Sequence, residues 1–301
     1  MYATGVGSGP VGITVGPDGA LWIAQFDNAA IVRFGTDART FLLPNRQRTP
    51  SSIVTGSDGG LWFTESDNNS IARISTDGKL IEYALPGADQ QPITITNGPD
   101  GARWFTLMRG RAIGRITGSG AISVYAIPGD PNDTNPIAIA LGSDAALWFT
   151  IEAGGRIGRI ATDGTITQYP LPNTRSAPTS IALGPDHAMW FSEYYGNSIG
   201  RITTTGAITE YPLPAQSAPG PITTGPDGAM WFLAAKKLGR ITMSGATSFV
   251  PVDTVDSGSV NAILTGPDGA LWFTERAYDA IGRYGLPSSA SVTFAGRPIA
   301  P

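Results

Sequence analysis

The chain has no cysteine, a single histidine and only 15% charged residues. Lack of cysteine excludes disulfides, thiolate metal sites and a cysteine nucleophile, while leaving the compartment open. With His187 as the only imidazole, no His-based metal triad can be assembled. Lys and Arg number 20 against 24 Asp and Glu, for a net charge of −4. No stretch gathers the cations into a patch, so nucleic acid is not expected as a partner. Apolar runs last only a few residues, too short to span a bilayer, and no long segment shows helical spacing. The N-terminus, Met1-Tyr2-Ala3-Thr4-Gly5, has neither the basic region nor the apolar run of a secretory signal. The low-charge, Thr/Ser/Gly-rich make-up nevertheless suits an exported bacterial protein.

Glycine and proline are abundant, at 39 and 24 residues, and 41% of the chain is hydrophobic. Apolar runs this short, punctuated this often, describe many short strands joined by tight turns around a real core. All seven tryptophans fall in one motif, at Trp22, Trp62, Trp104, Trp148, Trp190, Trp231 and Trp272, spaced 40 to 44 residues apart. A turn of the type Gly-Pro-Asp-Gly precedes each, and Ile-Gly-Arg-Ile or a close variant follows about nine residues later. Residues 178–214 translate directly into four strands separated by turns: 179–183, 188–193, 198–202 and 207–211. Four antiparallel strands per ~40 residues make a propeller blade. The expected fold is therefore all-β, a seven-bladed β-propeller in which residues 1–301 form a single domain. Two segments compete to complete the last blade. Tyr2 stands eight residues before Pro10, as Tyr211 stands eight before Pro219; Ser291-Val292-Thr293-Phe294 is the C-terminal rival.

A residue present in every blade is expected to build the blade. The tryptophans should fill the space between sheets. The turn aspartates Asp18, Asp58, Asp100, Asp144, Asp186, Asp227 and Asp268 match seven arginines, Arg33, Arg73, Arg115, Arg159, Arg201, Arg240 and Arg283. Each Asp should accept backbone N–H bonds, with its Arg adding a bidentate pair.

Departures from the repeat are where function can enter. There are only six glutamates, and Glu65, Glu193 and Glu275 each follow a repeat tryptophan by three residues, Glu152 by four. These positions end the second strand of a blade, on the face around the mouth of the central channel, which is the usual concave site of a propeller. Capping of the strand and a carboxylate ring facing a ligand or cation are both compatible with them. The loops that follow carry Gln25, Phe26, Met108, Arg109, Tyr194, Tyr195, Arg276 and Tyr278. The tyrosines suit stacking on a ring-bearing ligand. The longest fourth-to-first loop, 128–135, offers Asp130 and Asp133 to a hard cation but lacks the Asp-x-Asp-x-Asp-Gly calcium pattern. His187 replaces a turn glycine on the opposite face, so no Ser-His-Asp arrangement reaches the channel mouth.

The string Gly-Pro-Asp-Gly-Ala-Leu-Trp-Phe-Thr-Glu at 266–275, with Ile-Gly-Arg at 281–283 and Ile-Thr-Glu-Tyr-Pro-Leu-Pro at 208–214, resembles the virginiamycin B lyase, or streptogramin lyase, family. The resemblance runs blade after blade along the chain. It implies magnesium-dependent opening of cyclic streptogramin B depsipeptides by elimination at the ester, which needs a base for the α-proton and a cation to polarise the ester. It also implies histidines on the mouth face after Trp-Phe-Thr-Glu, where this chain has Ser66, Tyr194 and Arg276. Glu65, Glu193 and Glu275 remain as metal ligands, and Tyr194 or Glu193 as a substitute base.

Three functions follow as alternatives. One is a lyase-like propeller holding a small-molecule, peptide or protein ligand at the mouth through Gln25, Glu65, Glu152, Tyr194, Tyr195, Arg276 and Tyr278, without ring-opening activity. The others are an active magnesium-dependent carbon–oxygen lyase and an interaction or extracellular sensor module. A monomer is expected in each case.

Overall fold

The computed structural model describes residues 1–44, 49–252 and 261–286. Seven four-stranded antiparallel sheets stand in a ring. Six are continuous in sequence, spanning 10–42, 50–84, 92–126, 136–170, 178–212 and 219–251. The seventh takes three strands from Ile263–Thr265, Leu271–Glu275 and Ala280–Tyr284, and its outermost strand is the N-terminal Tyr2–Ala3. Tyr2 pairs with Ile281 and Ala3 with Ala280. Ring closure among the described residues is thus N-terminal; the rival segment 291–294 lies outside them. The only helical turns among the described residues are the short Pro131–Asp133 and Arg276–Tyr278, and no helix is long and apolar enough to cross a membrane.

The second strand of every blade is buried along its whole length. It has a strand on each side and a neighbouring sheet over each face, which is why it reads as a continuous apolar run rather than an alternating one. Seven apolar clusters fill the gaps between blades, each centred on a tryptophan of one blade and a Phe or Ile of the next, as with Trp148 and Phe191. The glycine of Ile-Gly-Arg makes room for that ring: a Cβ on Gly200 would sit 2.1 Å from Phe191.

The repeated charges form a staple in each blade. The turn Asp splits its carboxylate: Oδ1 accepts the Trp indole N–H at 2.9–3.1 Å. Oδ2 accepts the Arg Nε–H at 2.5–2.7 Å. The expected bidentate Arg–Asp pair is therefore replaced by a three-residue Trp–Asp–Arg unit, because the buried indole N–H needs an acceptor of its own. In blades 1 to 5 the same tryptophan stacks on the aromatic residue of its outer strand, as in Trp190–Tyr211 at 5.5 Å and 9°. Tyr2 takes that place in blade 7, lying 5.4 Å from Trp272.

Candidate functional site

A cavity of about 470 Å³ runs along the ring axis, within the size range of small-molecule sites. The innermost strand of every blade contributes to its wall, and all of these residues are uncharged: Ile13, Ile53, Ile139, Ile181 and Ile222 alternate with hydroxyls such as Ser52, Thr94 and Thr179. Three side chains from the second-to-third loops enter at the mouth: Phe26 from blade 1, Tyr194 from blade 5 and Arg276 from blade 7.

Arg276 is held in place from two sides. Its Nε and Nη2 donate to the two carboxylate oxygens of Asp27 at 3.1 and 2.6 Å, and its guanidinium carbon lies 4.4 Å from the centre of the Phe26 ring. Tyr194 is 36% exposed and meets Tyr195 edge-on at 5.2 Å. Tyr195 and Tyr278 project further into solvent and do not line the cavity.

The other residues expected at the mouth do not line the cavity. Gln25 is buried; its amide donates to the Thr4 carbonyl at 3.1 Å and accepts from Asn28 at 2.9 Å, so it ties down the N-terminal segment. Glu152 is half-buried and off the cavity wall. Glu65, Glu193 and Glu275 end fully buried strands and are themselves buried. Glu65 accepts from Ser70 Oγ at 2.5 Å and from Asn68 at 3.3 Å, the arrangement of a strand-end cap. None of the three glutamates lines the cavity, and of the two readings open for them Glu65 has the contacts of the strand-end cap. Burial lifts the Glu193 carboxyl to about 7; the like charge of Glu210 adds to this, and the Ser176 hydroxyl opposes it.

The three glutamates stand on blades 2, 5 and 7, and among the described residues no group of three or more His, Asp or Glu side chains could hold a metal ion. In the 128–135 loop, Asp130 spends its carboxylate as a helix cap, accepting from Asn132 N at 2.9 Å. His187 sits in the turn before Met189–Glu193, while Tyr194 follows that strand at its other end, so the two are on opposite faces.

Two features of the site had no signal in the sequence. One is the pairing of Asp27 with Arg276 across 249 residues. The other is Asp279, whose carboxylate accepts from Gly7 N at 2.7 Å and Gly9 N at 2.9 Å and clasps the N-terminal segment to blade 7.

Fold and cavity define a seven-bladed propeller with an uncharged axial wall and a mouth that carries two aromatic rings and the Arg276–Asp27 pair. The chain belongs to the virginiamycin B lyase family, whose model matches residues 2–232 and, overlapping, 212–294. It is similar to the virginiamycin B lyase of Staphylococcus aureus, with 39% identity and a TM-score of 0.87 over 94% of this chain and 97% of that one. A catalytically inactive histidine-to-alanine form of the S. aureus enzyme with quinupristin matches at 39% identity and a TM-score of 0.88, with the same coverage. Hydrazine synthase of Kuenenia stuttgartiensis, 14% identical with a TM-score of 0.74 over 95% of this chain and 98% of that one, shares the fold alone. No curated protein sequence matches the chain.

Proposed function

We propose that this propeller binds a small organic or peptide ligand at the channel mouth and does not open streptogramin rings. One observation carries the reading: the single histidine lies on the face opposite the mouth. In the S. aureus relative a histidine-to-alanine change accompanies loss of catalysis. Among the described residues no three or more His, Asp or Glu side chains cluster as a metal site, which supports the same reading, since elimination at the ester needs both a base and a cation. What remains at the mouth suits binding: two aromatic rings, one fixed guanidinium and a pocket wall of aliphatic and hydroxyl groups. We read the chain as one domain acting as a monomer.

The test is incubation with quinupristin and magnesium, followed by chromatography and mass spectrometry. An elimination product has the mass of its parent, so the two must be separated before detection. The expected outcome is intact antibiotic with or without magnesium; linear product at enzymatic turnover overturns the reading. A second reading, an active lyase with an unfamiliar base, draws on one observation: the Glu193 carboxyl titrates at about 7 and directly precedes Tyr194. Its burial to 1% exposure counts against proton transfer to anything in the cavity. Loss of ring opening in Glu193→Gln, from a wild type that has it, would support this alternative.

A further inference from the structure

We propose that the mouth selects a ring-bearing monocarboxylate, with Arg276 as the group that recognises the carboxylate. The inference rests on the mouth-binding reading above and names the class of ligand. Its first support is electrostatic. Among the described residues lining the cavity, Arg276 is the one charged side chain, and the innermost strands supply none. An anion entering this pocket meets one complementary charge on the wall, a guanidinium at the exposed rim that Asp27 already pairs on one edge.

The second support is geometric. A guanidinium has five N–H donors. Asp27 takes one from Nε and one from Nη2, leaving both of Nη1 and the second of Nη2 for an occupant of the cavity. The Asp27 fork and the Phe26 ring fix the guanidinium before any ligand arrives, so little side-chain freedom is lost on binding. The ring preference comes from Phe26 and Tyr194 at the rim and the isoleucines below them. Asp27 offsets part of the charge of Arg276, which limits the preference for an acid over its neutral ester to about tenfold.

The experiment uses three acids, phenylacetate, indole-3-acetate and N-acetyl-L-tyrosine, each beside its methyl ester, titrated against the full chain by ligand-observed NMR. The expected result is binding of at least one acid about tenfold tighter than its ester. Arg276→Gln should bring the ratio to about one, and Arg276→Lys should keep part of it. Asp27→Asn removes the competing charge while keeping hydrogen-bonding atoms in place, and should raise acid affinity. It serves as the second arm should Arg276→Gln fold poorly. Tyr194→Ala should weaken acid and ester alike. Equal affinity for acid and ester, no binding of any acid, or a preference that survives in Arg276→Gln overturns the inference. Ester binding that Tyr194→Ala weakens, without acid preference, leaves the mouth as a binding site and removes only the carboxylate. Binding that Tyr194→Ala leaves untouched removes both.

Discussion

Replacing Glu193 by Gln should stabilise the protein, and only above about pH 5. The residue is 1% exposed, its Oε1 has no hydrogen-bond partner, and Glu210 adds a like charge. Its carboxyl titrates at about 7 in the fold against 4.5 when exposed. With the folded value raised, the native state holds a proton that the unfolded chain has already released between these two values. Stability therefore falls as pH rises from about 4.5 to about 7 and is flat above. The gap corresponds to roughly 3 kcal/mol in the charged state. Gln reproduces the neutral acid without the charge, so Glu193→Gln should match wild type at pH 5 and exceed it at pH 8. At about 2 °C per kcal/mol for a chain of this size, the gain at pH 8 is roughly 6 °C in Tm. Calorimetry of both proteins at pH 5 and pH 8 reads this directly. Equal gains at both values, or a loss at pH 8, would refute the reasoning, since a loss means that the ionised carboxylate is bonded and welcome in the fold.

Other substitutions test the remaining inferences. Asp279→Ala removes the acceptor for Gly7 N and Gly9 N; it should cost about 2 kcal/mol in denaturant unfolding and expose Tyr2–Ala3 to proteolysis first. Although partial burial works to raise the Asp279 carboxyl, those hydrogen bonds hold it below 3.8, so its contribution is lost as pH falls through that range. Arg103 occupies a position held by Leu or Met in the other blades, at 2% exposure, with Nη2 3.3 Å from Asp58 and Nε unbonded. Asp58 keeps Arg73 at 2.6 Å, so Arg103→Leu should change stability by less than about 1 kcal/mol by the same measurement. His187 adopts φ 60° where five of the other six turns have glycine. His187→Gly should raise stability by up to about 1 kcal/mol, and a loss in thermal unfolding would show that its side chain makes a compensating contact.

The fold was legible because it is written seven times. Trp, turn Asp and Arg recur in step, and the structure assigns each triplet to one staple. Tyr2 was legible as one of two candidates for the missing outer strand, its spacing to Pro10 matching that of an internal blade, and the structure pairs it with Ile281. The site was only partly legible. Phe26, Tyr194 and Arg276 stood out as interruptions of the repeat, and they are the mouth residues that reach the cavity. The burial of the glutamates was not legible, because strand alternation says which face a side chain takes, not how deep its strand lies. Sandwiching by two strands and two sheets buries Glu65, Glu193 and Glu275 whichever way they point.

What pattern reading could not supply is the seam between blades 7 and 1, where the two ends of the chain meet. The other interfaces repeat one another and join blades continuous in sequence. This one is closed by contacts 249 to 275 residues apart: Arg276 on Asp27, Asp279 on Gly7 and Gly9, and Thr4 Oγ1 on the Asp279 carbonyl at 2.6 Å. Gly9 couples the two halves, since its backbone N–H binds Asp279 and a Cβ there would collide with the Asp27 carboxylate at 2.0 Å. The charged group at the mouth thus depends on the same few residues that close the ring. In a propeller whose blades are nearly identical, the closing seam is a source of asymmetry at the channel mouth.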